Sequence, residues 1–104
     1  MALGDDLHAL ASAILKLIQT TSSLQEKVAL RRQLTTVLEE TERVVGENID
    51  TASAEYTAVT RGISDANAAI NAALTDLAKV AATIDTIAKA IDLLGKLAAK
   101  AGLI

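Results

Sequence analysis

Read from Leu7 in alternating steps of three and four residues, the chain presents an apolar or small side chain at every step: Leu7, Leu10, Ile14, Leu17, Thr21, Leu24 and Val28. The same phase resumes as Val45, Ile49, Ala52, Tyr56, Val59, Ile63, Ala66 and Ile70, then runs on through Ala73, Leu77, Val80, Ile84, Ile87, Ile91, Leu94, Ala98 and Ala101. A repeat of about 3.5 residues marks helices that pack through a continuous stripe, whereas strands alternate with a period of two. Between Val28 and Val45 this phase would put Arg31, Thr35 and Glu42 on the seam. There Leu30, Leu34, Val37, Thr41 and Val44 form a stripe shifted by one residue, widened by Leu38 and Val45. Such drift suits a helix with several neighbours better than a strict two-stranded coiled coil.

Capping residues divide the pattern into helices predicted at about 5–20, 24–45 and 49–101. Asp5 or Asp6 can cap the first. Thr20-Thr21-Ser22-Ser23 is the most helix-averse run of the first half, and Ser23 and Glu26 stand at the spacing of a capping box. Gly46 sits where a left-handed C-cap belongs, and Asn48 or Asp50 can start the next helix. Gly62, with Ser64 beyond it, offers a weaker break, nothing between Asp65 and Leu94 reads as a stop, and Ala101-Gly102-Leu103 resembles a helix end. The expectation is a single all-α domain, with coiled-coil-like packing and its main turn near Gly46. It is a long helical hairpin if Thr20–Ser23 is only a kink, and a three- or four-helix bundle if that run is a true turn.

Composition sharpens this picture. The 104 residues bound the chain to one core, and 51% of them are hydrophobic, but 21 are Ala, Phe and Trp are absent, and Tyr56 is the only aromatic. Stability must come from many small contacts along extended interfaces, which Ala- and Leu-rich helices without proline provide. The net charge of −3 divides into −1 for residues 1–46 and −2 for residues 47–104, so no polyanion-binding field is expected. Absence of cysteine removes disulfide and thiolate chemistry. The N-terminus lacks a basic leader, and no uncharged run approaches the roughly 18 apolar residues of a membrane span. A soluble cytoplasmic protein is the expectation, with export without a signal as the alternative.

Candidate chemistry is sparse. His8 stands near Asp5 and Asp6, but a metal site needs three or four ligands and acid–base work needs a pocket; a surface histidine in a capped first turn is the reading adopted. Glu39, Glu40, Glu42 and Glu47 cluster before the turn without the Glu-x-x-His pairs of a di-iron bundle, and read as a solvated face with a Glu39–Arg43 pair. Lys27, Arg31 and Arg32 make a basic patch too small, and too poor in aromatics, for nucleic acid; solvation or pairing with the acidic turn of a neighbouring chain fits them. Tyr56 falls on the seam as filler among Ala52, Val59 and Ile63. The five glycines are isolated, so no phosphate loop exists, and no serine pairs with the lone histidine. Neither a catalytic role nor a metal or cofactor is expected.

The segment Leu77–Ile104 is the most informative. Asp85, Lys89, Asp92, Lys96 and Lys100 occupy a narrow arc, and Leu, Ile, Val and Ala cover most of the rest. Such a helix does not stand alone in water. It is buried among several helices or lies on a membrane surface, and its acidic residues and lack of Trp and Phe favour burial. Ala66, Ala73, Ala98 and Ala101 on the seam allow close approach of backbones, and off-seam alanines allow more than one neighbour. A hairpin supplies too few neighbours, so self-association is expected, most simply as a homodimer, with another helical protein as a further possible partner. The function expected is a non-catalytic interaction or scaffold protein acting through helix–helix contacts. The residues expected to carry them are Leu7, Leu10, Ile14, Leu17, Tyr56, Val59, Ile63, Ile70, Leu77, Ile84, Ile87, Ile91 and Leu94. The alternative is a membrane-active or secreted protein using residues 77–104.

Overall fold

The helical spacing is realised as an all-helical fold in the computed structural model, which describes residues 3–44 and 53–102. Four α-helices form: α1 (Leu3–Thr20), α2 (Leu24–Val44), α3 (Ala54–Thr75) and α4 (Val80–Lys100), with a short 3-10 turn, Leu77–Lys79, ahead of the last. No strand occurs among the described residues. The predicted turn at Gly46 and start at Asn48 or Asp50 lie outside them.

Local chemistry explains the boundaries. α1 begins at Leu3, so Asp5 and Asp6 are first-turn residues facing the positive end of the helix dipole and do not cap it. At the next boundary the Glu26 N–H donates to Ser23 Oγ at 3.3 Å, half of the expected capping box, and α1 ends at Thr20 in a true turn. The Tyr56 N–H donates to Ser53 Oγ at 3.1 Å and caps α3, which starts at Ala54.

Two expectations for the second half of the chain need correction. Gly62 does not break a helix; it lies inside α3 at a close approach to α4, where an added Cβ would stand 3.0 Å from Leu93 Cδ1 and 3.5 Å from Ala90 Cα. The break comes instead at Asp76, within the stretch that reads as uninterrupted. Asp76 adopts extended backbone angles (φ −148°, ψ 95°), and its Oδ1 accepts from the Ala78 N–H at 3.2 Å. A short carboxylate that bonds its own following backbone competes with the helix, and Asp76 ends α3 by that route. The predicted helix 49–101 is two helices.

The helices pack so that α1 contacts α2 and α3, and α4 contacts α2 and α3. Gln33 Nε2 donates to the Ile84 carbonyl at 2.9 Å, setting α2 level with α4, and Thr83 Oγ1 donates to the Ala69 carbonyl at 3.2 Å, setting α4 against α3. The nine steps from Val44 to Ser53 reach about 32 Å at most. If α2 and α4 ran in opposite directions, those ends would lie about 40 Å apart along the helix axes. They run the same way, and the turns at Thr21–Ser23 and at Asp76 fall at one end of the molecule. At the other end Lys100 Nζ meets Glu55 Oε1 at 4.0 Å. The radius of gyration is 13.4 Å and the extents are 39 × 19 × 18 Å, a compact form and not a rod of two long helices.

Leu7, Leu10, Ile14, Leu17, Leu30, Val37, Val59, Ile70, Val80, Ile87, Leu94 and Leu97 are enclosed almost completely. In α2 the buried line is Leu30, Val37, Thr41 and Val44, the stripe shifted by one residue, while Leu24 and Val28 face outward because the chain has reversed at Ser22. In α4 the line is Val80, Thr83, Ile87, Ala90, Leu94 and Leu97, with Ile84 and Ile91 half-buried on its flank. Small Thr83 and Ala90 on that line let α4 lie close to α3, and the Thr83 hydroxyl is satisfied by the Ala69 and Lys79 carbonyls. Gly95 differs from Gly62, since nothing lies within 4 Å of its missing Cβ inside α4. Gly95→Ala is expected to raise stability by about 0.5–1 kcal/mol through the unfolded state, read as an increase of several degrees in the thermal midpoint.

Candidate interaction surface

The structure assigns most of the seam residues to the chain's own interior. Leu7, Leu10, Ile14, Leu17, Val59, Ile63, Ile70, Ile87 and Leu94 are buried, and Tyr56, Ile84 and Ile91 pack half-buried against them. Leu77 alone of that set is exposed, at 41%, because it opens the 3-10 turn beyond Asp76 and leaves the seam. Those side chains, Leu77 apart, are therefore wholly or partly covered within the chain.

Five large apolar residues lie exposed: Leu15 (48%), Leu24 (73%), Val28 (41%), Leu38 (46%) and Leu77. Four of the five belong to the hairpin of α1 and α2. On α2 the outward line reads Leu24, Val28, Arg31, Thr35, Leu38 and Glu42, all exposed at alternating spacings of four and three. This is the continuation of the heptad phase that the core does not use. Leu15, on α1, stands about as far from the turn at Ser22 as Val28 does. The signal for this surface was present in the sequence as a second apolar phase in α2.

Charge on the same hairpin is segregated by end. Lys16, Lys27, Arg31 and Arg32 gather toward the turn, with Glu26 as the one acidic residue among them. Asp5, Asp6, Glu39, Glu40 and Glu42 gather at the far end with Arg43, which pairs with Glu40 at 2.8 Å. That pair replaces the expected Glu39–Arg43 one. Among the described residues, Lys27, Arg31, Arg32, Glu39 and Glu42 enter no ion pair within the chain.

The α3–α4 side differs. The outward face of α4 carries Ala81, Ala82, Asp85, Ala88, Lys89, Asp92, Lys96 and Lys100, with Lys96 and Asp92 paired at 3.5 Å. Between α3 and α4 lies a shallow groove of about 240 Å³, lined by Ala58, Arg61, Gly62, Asp65, Thr86, Lys89 and Leu93. It exists because Gly62 and Ala58 are small, and its charged groups sit at an open rim. His8 is exposed on α1, and among the described residues no three of His, Cys, Asp and Glu come together. The apolar face of the segment from Leu77 onward is packed against α2 and α3, and among the described residues no helix is long and apolar enough to cross a membrane. Set against protein-family models, curated proteins and solved structures, the chain matches none of them.

Proposed function

We propose that the chain is a four-helix bundle with coiled-coil-like packing that serves as a non-catalytic interaction protein and self-associates through helix–helix contacts. One observation carries this reading: the large apolar side chains left in solvent are concentrated on a single helical hairpin, in heptad register on α2. Scattered exposed leucines are ordinary on a protein surface, but a spaced line of them is the form in which one helix offers itself to another. The seams that would otherwise unite two chains are occupied within one, so association uses the outer face of α1 and α2.

Size-exclusion chromatography with light scattering and small-angle scattering tests the reading. The expected result is a mass that climbs with concentration toward twice the 10.8 kDa of the chain. A mass that stays at one chain up to millimolar concentration would refute it. A membrane role would require α4 to leave its partners, and flotation with anionic vesicles would then carry the protein to the lipid fraction.

A further inference from the structure

We infer that the outer face of the α1–α2 hairpin seats a second copy of this chain, antiparallel to the first, about a two-fold axis crossing the hairpin near its middle. The inference rests on the proposed self-association and adds its surface, its direction and what holds it together.

Three properties of the hairpin coincide. Its exposed apolar residues supply the desolvated centre: Leu15, Leu24, Val28 and Leu38. Its charges are separated into a basic turn end and an acidic far end, and among them only Glu40 and Arg43 pair within the described residues. Its face also has sufficient size: in a molecule of extents 39 × 19 × 18 Å, a face along the long axis has a footprint of the order of the roughly 800 Å² per partner of a standard interface.

The direction follows from the charges. Two hairpins laid parallel would place Lys27, Arg31 and Arg32 over their own copies and the glutamates over glutamates. Rotation by a half turn about an axis across the hairpin places each basic end over an acidic end, twice, which is the isologous arrangement of a two-fold dimer. The α3–α4 hairpin offers no such match, because Asp85, Lys89, Asp92 and Lys96 alternate in sign along its outer arc and part of that charge is already paired. It also carries no exposed large apolar residue along its helices.

The test uses the full chain in two charge-reversed forms. In one, Lys27→Glu and Arg31→Glu remove the excess positive charge of the turn end; in the other, Glu39→Lys and Glu42→Lys remove the excess negative charge of the far end. The four positions lie on the outer side of α2 or at its edge, and circular dichroism confirms the helical content of each form. Sedimentation velocity with interference optics is the readout, since Tyr56 alone absorbs in the near ultraviolet. Each form alone is expected to self-associate at least about tenfold more weakly than the unmodified chain, and an equimolar mixture to dimerise more tightly than either form alone. Added salt should weaken both the original dimer and the mixed one.

If the unmodified chain dimerises and neither reversal alters it, the interface lies elsewhere and the inference falls while the proposed function stands. If the unmodified chain stays monomeric at every concentration, the reading of self-association falls with it. Monomers that bind vesicles of phosphatidylserine, and lose that binding when the basic end is reversed, would assign the face to lipid and overturn the dimer.

Discussion

Replacing Ile87 by alanine is expected to cost about 2–5 kcal/mol of folding stability, a large fraction of the roughly 5–15 kcal/mol that a domain of this kind possesses. Ile87 lies at the middle of the buried line of α4 and is fully enclosed. With no Phe or Trp in the chain, the core is assembled from branched aliphatic side chains and alanines, and neighbouring helices cannot close a gap without losing contacts of their own. Urea unfolding followed at 222 nm should show a lower midpoint with an unchanged slope, and thermal unfolding a midpoint lower by about 10 °C or more. The control is Leu77→Ala. Leu77 shares the heptad phase of Ile87 but is exposed, so its loss should cost less than about 1 kcal/mol. Equal costs at the two positions would mean that helix α3 continues through Asp76.

The reverse substitution is expected to be nearly as damaging at the small positions. Ala66 and Ala73 of α3 and Ala98 of α4 are completely buried. Ala66→Leu adds three carbons where no space exists, and about 1–3 kcal/mol or more is expected to be lost to displaced helices and strained rotamers. Leucine and alanine have similar helix propensities, so the backbone contributes little to this change. Ala68→Leu, on the exposed side of the same helix, should fall within about 0.5 kcal/mol of the parent. Chemical unfolding of the two variants side by side separates close packing from propensity. A harmless Ala66→Leu would show that α3 has room to move away from its neighbours.

Much of the local architecture is legible along the chain. Ser23 and Glu26 mark the start of α2, the stripe from Leu7 to Leu17 is the buried side of α1, and the one-residue shift at Leu30, Val37, Thr41 and Val44 is the true inner face of α2. These readings succeed because caps and stripes depend on residues within one or two turns of each other. Asp76 escapes the same treatment because Leu77, Val80 and Ile84 keep the heptad phase beyond it. A single aspartate next to a threonine is tolerated in many helices; here its carboxylate bonds the Ala78 N–H and the chain reverses. Gly62 misleads in the opposite sense, since a glycine can mark a stop or a close approach, and only the position of Ala90 and Leu93 distinguishes the two.

The candidate surface shows the same division. Leu24 and Val28 read as seam residues because their spacing is perfect, and they form a line on α2, yet that line points outward. The periodicity of apolar residues determined that the chain is helical and where on each helix the apolar stripes run, because that pattern is a property of the helix itself. Which stripe is enclosed by the chain and which is left in solvent was decided only by the tertiary structure. That outcome depends on the reversals at Ser22 and Asp76 and on the close approach permitted by Gly62, Thr83 and Ala90. Those features bring together residues far apart in sequence, and no window of local pattern contains them.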